Sequence, residues 1–219
     1  MTLARRAFAE RLGTALLLAA VVGSGIMGEK LAAGNDAIAL LANSLATGFA
    51  LVALIVAFGP RSGAHFNPVV TLALAWRGDF DRREVAPYVL AQCIGALIGV
   101  AAAHLMFDLT IVQYSLKARS TFGLWWSECV ATFGLVLVVL WCDRERPWSA
   151  PAAVASYIAA AYWFTASTSF ANPAVTLARA FTNTFAGIDL RHVPPFVIAQ
   201  AIGAGLACVA DRSLGERSN

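Results

Sequence analysis

The chain has 219 residues, 59% of them hydrophobic and only 13% charged, with a formal net charge of +3. A soluble domain carries about 25% charged residues, so this composition excludes an ordinary soluble protein and indicates an integral membrane protein. The positive charge is small and scattered, which argues against a nucleic-acid partner. Cys93, Cys129, Cys142 and Cys208 lie in or at the ends of apolar segments without metal-ligand spacing and read as small buried thiols.

Arg5, Arg6 and Arg11 precede or open an apolar run at 8–31 that reads as a retained first helix rather than a cleaved signal. A bilayer span takes about 20 mainly apolar residues, and six spans are predicted, at 8–31, 37–58, 85–107, 122–142, 149–168 and 194–211. Two further apolar segments, 68–76 and 173–185, are too short to cross. Each follows an Asn-Pro pair, in Asn67-Pro68-Val69 and Asn172-Pro173-Ala174. Asn caps a helix and Pro at the first helical position gives up no hydrogen bond, so both pairs signal helix starts. A helix starting at membrane depth aims its unpaired N–H groups and positive dipole end at whatever lies there. Irregular backbone is tolerated at that depth only where protein buries it or it lines a wet cavity. Both segments are therefore expected to fold back as re-entrant half-helices.

The chain also repeats. Glu10 and Glu128 open its halves in similar contexts, 118 residues apart. The Asn-Pro pairs are 105 residues apart, and Ala91-Gln92-Cys93-Ile94-Gly95-Ala96 matches Ala199-Gln200-Ala201-Ile202-Gly203-Ala204 at an offset of 108. Each repeat holds an odd number of spans, so the second enters the membrane upside down. The predicted fold class is an all-α integral membrane protein: six transmembrane helices plus two re-entrant half-helices, in one domain over 1–219. Its inverted repeats cover about 1–110 and 120–219. Small residues at Gly95, Gly99, Gly203 and Ala207 would allow close helix crossings. With the N-terminus inside, the inner face holds Arg5, Arg6, Arg11, Arg61, Arg77, Arg82, Arg83, Arg144, Arg146, Arg212 and Arg217, and the outer face only Lys30, Lys117, Arg119, Arg179 and Arg191. The positive-inside rule then puts both termini in the cytoplasm.

On these motifs the chain resembles the major intrinsic protein family, the aquaporins and aquaglyceroporins. The resemblance implies one pore per protomer and a homotetramer in the cell's inner (plasma) membrane, with no cofactor. Carried over by position, it places the Asn67 and Asn172 amides at the pore centre. Glu10 and Glu128 would support the adjoining loops through their N–H groups, a structural rather than catalytic role. His65 is read as a loop-packing residue, with cytoplasmic pH gating as the other reading.

Most members carry Arg directly after the second Asn-Pro-Ala; here Val175 stands there. Counting from the two Asn residues gives Thr47, Ala160 and Ser169 as the other walls of this selectivity ring, all small. Phe49, Tyr162 or Phe164 would take those places if the helices are shifted. Loss of the guanidinium removes a donor fork and a positive barrier. Arg179, one turn beyond Val175, has two readings: a displaced cation at the outer mouth, or a side chain held at the interface or on a loop carbonyl. Trp125, Trp126, Trp141, Trp148 and Tyr88, near span ends, read as interface anchors. His104 reads as a packing or hydrogen-bonding residue.

The Val175 pattern resembles bacterial channels associated with arsenic-resistance operons. The expected function is a passive channel for small uncharged solutes, foremost arsenous acid, with organic arsenicals, glycerol and water also in range. An ordinary water or glycerol facilitator is the alternative. An ion-coupled transporter is disfavoured because only Glu10 and Glu128 are ionisable well inside the spans, and an enzyme because no catalytic cluster is evident.

Overall fold

In the computed structural model, residues 1–145 and 147–214 are described. Of the basic residues counted for orientation, Arg146 and Arg217 lie outside them, as does the side chain of Arg144. Among the described residues the regular structure is entirely helical: α1 (Leu3–Leu31), α2 (Asp36–Ser62), α3 (Pro68–Arg77), α4 (Val85–Met106), α5 (Phe122–Glu145), α6 (Ala150–Phe164), α7 (Pro173–Ala178) and α8 (Val193–Leu214). Five of these are long and apolar enough to cross a bilayer. The predicted span at 149–168 is shorter than expected, because α6 has 15 residues and stops at Phe164. Beyond it the chain turns into the loop before Asn172, where Thr168, Ser169 and Ala171 have left-handed φ values of 63°, 49° and 46°.

Bundle polarity is inverted relative to a soluble protein. Large apolar side chains such as Leu12, Leu45, Phe49, Ile98 and Val209 are exposed, while Glu10, Thr14, Gln92, Glu128, Thr132 and Gln200 are fully buried. Lipid gives apolar side chains no reason to hide, so helix association rests on close contact and on interhelical hydrogen bonds.

Close contact is built from small residues. A Cβ on Gly95 would lie 2.2 Å from the Arg11 carbonyl oxygen, and one on Gly99 2.2 Å from that of Ala15, so α4 lies directly on α1. In the second half Gly203 of α8 has the same relation to α5, with the Cys129 carbonyl oxygen at 2.3 Å. One turn further, where the first half has Gly99, Ala207 is fully buried. α2 packs on α1 and α6, and α5 on α6 and α8.

Two faces follow from the contacts. Arg6 pairs with Glu84, Arg77 reaches the Leu140 carbonyl, and Trp141 Nε1 donates to Asp211 at 3.1 Å, gathering these ends with the N-terminus on one face. On the far face, Ser115 N donates to Ala180 O at 3.0 Å and Asp189 N to Lys117 O at 2.8 Å, so the α4–α5 connection runs along the segment after α7. Trp126, Trp141 and Trp148 are exposed, but Tyr88 is not an interface anchor. It is fully buried, and its hydroxyl donates to the Ser62 carbonyl at 2.9 Å. The proximity of Tyr88 to a span end is the same in either case; only its contact with the loop after α2 draws it inside.

Candidate functional site

The N-termini of α3 and α7 abut inside the bundle. Asn67 caps α3 by accepting from Val69 N at 3.1 Å, and Asn172 caps α7 by accepting from Ala174 N at 3.0 Å and Val175 N at 3.3 Å. Each amide also reaches across. Asn67 Nδ2 donates to Ala171 O and Asn172 Nδ2 to Phe66 O, both at 2.8 Å. Each Nδ2 keeps a second hydrogen, and both residues line one cavity of about 450 Å³. Pro68, Val69, Pro173 and Ala174 form the first turns of the half-helices and are not among its lining residues.

The loops leading to these caps hold a sharply bent backbone. Ala64 and Phe66 have φ of 51° and 49°, matched 105 residues on by Ser169 and Ala171 at 49° and 46°. Non-glycine residues persist there only where surroundings over-determine them. Glu10 supplies that constraint in the first loop, accepting from His65 N at 3.0 Å, Phe66 N at 2.7 Å, Ser62 Oγ at 2.7 Å and Gln92 Nε2 at 2.8 Å. Glu128 does so in the second, accepting from Phe170 N and Ala171 N at 2.8 Å and from Gln200 Nε2 at 2.6 Å. Gln92 and Gln200 continue to Thr71 Oγ1 and Thr176 Oγ1, whose hydroxyls donate to the Asn67 and Asn172 carbonyls. Each carboxylate thus spends its oxygens on donors already present, which lowers the cost of burying it.

The cavity runs from the N-terminal face, where Arg61, His65, Asp79 and Phe80 line it, past the two Asn residues to Arg179 towards the far face. His65 Nδ1 and Thr71 Oγ1 lie 3.1 Å apart, and the imidazole sits against Phe80 and Tyr88. Between Asn172 and Arg179 the wall includes Thr47, Tyr162, Ser169 and Val175. The expected Ala160 is exposed on the outside of α6 and does not line the cavity. Tyr162 takes its place, with its hydroxyl 3.2 Å from Thr47 Oγ1. The two residues stand about 200° apart around a helix of 3.6 residues per turn, so a shift of two exchanges outside for inside.

Arg179 is 2% exposed, donates from Nε to the Ala186 carbonyl and places Cζ 3.4 Å from the Phe170 ring centroid. Both features read for it from the sequence coexist: it lines the cavity and holds a loop carbonyl. Arg119 and His192 were not picked out by sequence. Arg119 N donates to His192 Nδ1 at 3.1 Å, while its side chain holds the Gly187 and Ser167 carbonyls at 3.0 and 3.1 Å. Burial lowers the pKa of the Arg119 guanidinium to about 10. His104 bonds Ile111 O and Thr182 Oγ1, both at 2.8 Å, tying the α4 end to the far-face loops.

Helices capped towards one another around a continuous internal passage define a multi-pass membrane channel. Residues 1–168 match the family described as Major intrinsic protein, and the chain belongs to that family. Aquaglyceroporin AqpS of Rhizobium meliloti (strain 1021) is 56% identical over 212 residues, covering 97% of this chain and 91% of that protein. Aquaporin AqpM of Methanothermobacter marburgensis is 32% identical over 237 residues, covering 95% and 96%. The aquaglyceroporin structure from Plasmodium falciparum shares the fold, with a TM-score of 0.78 over 97% of both chains at 21% identity. The protein is a channel for small solutes, not an enzyme.

Proposed function

We propose that this channel passes small uncharged solutes passively in both directions, with arsenous acid foremost and glycerol and water also carried. It would act in the inner membrane as a homotetramer of inverted repeats with both termini cytoplasmic. The observation that carries this reading is the wall beyond Asn172, where Val175, 6% exposed, lines the cavity beside the Thr47, Ser169 and Tyr162 hydroxyls. Arsenous acid is a compact uncharged triol near neutral pH, and walls of hydroxyls, each able to donate or accept, suit it. The opposed positive ends of α3 and α7 raise the energy of a cation or proton at the centre. The free hydrogen on each Asn amide holds a passing oxygen as acceptor, which interrupts a proton wire.

One observation favours an ordinary glycerol or water facilitator. Tyr162, rather than Ala160, faces the cavity, so the ring is narrower than four small side chains would leave it. The name of the 56% identical relative, an aquaglyceroporin, agrees with either reading. Stopped-flow measurement of water, glycerol and arsenous acid on the purified protein separates them. Val175→Arg is expected to depress arsenous acid and glycerol flux by about tenfold or more, the scale of adding a fixed charge and bulk to a filter, while sparing water. Arsenous acid flux intact in that variant would refute the filter argument.

A further inference from the structure

The far mouth of the cavity carries two buried guanidiniums that form no ion pair among the described residues. Arg179 and Arg119 are 2% and 8% exposed, and their Cζ atoms lie 3.4 and 5.0 Å from the centroid of the Phe170 ring. Buried guanidiniums are ordinarily paired with carboxylates. Among the described residues, ion pairs join Arg6 to Glu84, Arg77 to Asp79 and Arg191 to Asp189, and neither Arg119 nor Arg179 takes part in them. The Glu128 charge acts on both arginines at a distance, while its oxygens are occupied by Phe170 N, Ala171 N and Gln200. Lys117 adds a third cation nearby, held by the Phe185 carbonyl at 3.0 Å. Its pKa is lowered by burial and then by Arg119 and Arg179, with Glu29 and Asp36 acting in the opposite sense.

The Ser167, Gly187 and Ala186 carbonyls are already taken by the two arginines. Still available are the terminal nitrogens of Arg179, the Ser169 hydroxyl, which is buried with no partner, and one hydrogen from the Thr47–Tyr162 hydroxyl pair. All of these line the same cavity. The Arg179 nitrogens can only donate, whereas the hydroxyls can donate or accept.

We propose that this mouth is an oxyanion-binding subsite, in which Arg179 and Ser169 donate to a compact, singly charged oxyanion. Arg119 is a positioning residue that fixes Phe170 and the loop carbonyls. An oxyanion accepts from Arg179 and from the hydroxyls together and adds a negative charge beside the two guanidiniums, which a neutral triol does not. The subsite rests on the channel reading, because it lies in the same passage, but it concerns binding of a charged acceptor rather than passage of a neutral solute. An occupying anion would obstruct neutral solutes arriving from that side.

The test is calorimetric titration of the purified full-length protein in detergent with inorganic phosphate at mildly acidic pH, where the singly charged form dominates, at constant ionic strength set with chloride. Saturable phosphate binding is expected. It should weaken about tenfold or more in Arg179→Gln and about fivefold in Ser169→Ala, the scale of losing a charged and a neutral hydrogen bond. Absence of saturable heat in the wild type, or an unchanged affinity in Arg179→Gln, overturns the subsite. Should Arg179→Gln fail to give a monodisperse size-exclusion peak, Ser169→Ala decides, since it removes only an unpartnered hydroxyl. Phosphate binding without arsenous acid flux would overturn the proposed solute and leave the subsite standing; flux without binding would do the reverse.

Discussion

Loops 63–67 and 168–172 are built to one plan and surrounded by different chemistry. Both aim an Asn-capped half-helix at the centre, both carry left-handed non-glycine residues, and both hang on a buried glutamate, glutamine and threonine. Beside the first loop lies an aromatic group of His65, Phe80 and Tyr88, and the nearby Arg6 is paired with Glu84. Beside the second lie Arg119 and Arg179 on Phe170, with no ion pair among the described residues. What holds the backbone is duplicated, and what a solute meets at the mouth is not. Selectivity is therefore to be sought in the parts that broke the symmetry.

That comparison can be broken most forcefully at the carboxylates. Glu10→Ala leaves four donors without an acceptor and Glu128→Ala three. At about 1–3 kcal/mol for each orphaned buried group, both should lose at least about 3 kcal/mol, with Glu10→Ala the worse. Thermal unfolding in detergent measures this, and a Glu128→Ala variant as stable as wild type would refute the shared scaffold. Next come the helix crossings. Gly95→Ala and Gly203→Ala each push a methyl group onto a carbonyl and should cost about 1–3 kcal/mol to similar extents in the same assay. Gly99→Ala should cost as much, although its counterpart is already Ala207. A tolerated Gly99→Ala would show that α1 and α4 separate as readily as α5 and α8.

Smaller effects sharpen the picture. Asn67→Ala and Asn172→Ala each lose a cap and a bond to the opposite loop, together about 1–2 kcal/mol, and matching losses in unfolding temperature are expected. A large inequality would show that one loop leans on the other. The smallest effect is expected at Arg191. Its side chain and backbone N–H hold the Asp189 carboxyl well below the usual carboxylate range. A depressed folded value means that this contribution is present above the unfolded value of about 3.9 and is lost as pH falls through the folded one. Because the Arg191 side chain is 83% exposed, Arg191→Gln should leave the unfolding temperature at pH 7 unchanged. A clear drop would mean that this far-face loop depends on the pair.

Much of the architecture was legible because its signals are local. The Asn-Pro caps need only a short side chain and a ring without an N–H, and the long apolar runs need only a count against bilayer thickness. Counting back from Asn67 crossed only the short loop 63–66 before entering α2 and reached Thr47, which does line the cavity. Counting back from Asn172 crossed the longer irregular stretch between Phe164 and the cap, and returned Ala160 on the wrong side of α6. Periodicity cannot be carried through a turn whose geometry is unknown. Arg119 was missed for a different reason: an arginine in a polar connection has the same local sequence whether it is solvated or drawn under a neighbouring loop.

By itself, then, the sequence determined that the chain is a helical membrane protein and where its half-helices begin. These properties depend on composition and on neighbours within a few positions. Tertiary structure alone decided that Tyr162 faces the passage, that Tyr88 is enclosed, and that Arg119 and Arg179 share the Phe170 ring. Each depends on how separate segments meet: the rotation of a helix and the partners of a charge are fixed by contacts between residues far apart in the chain.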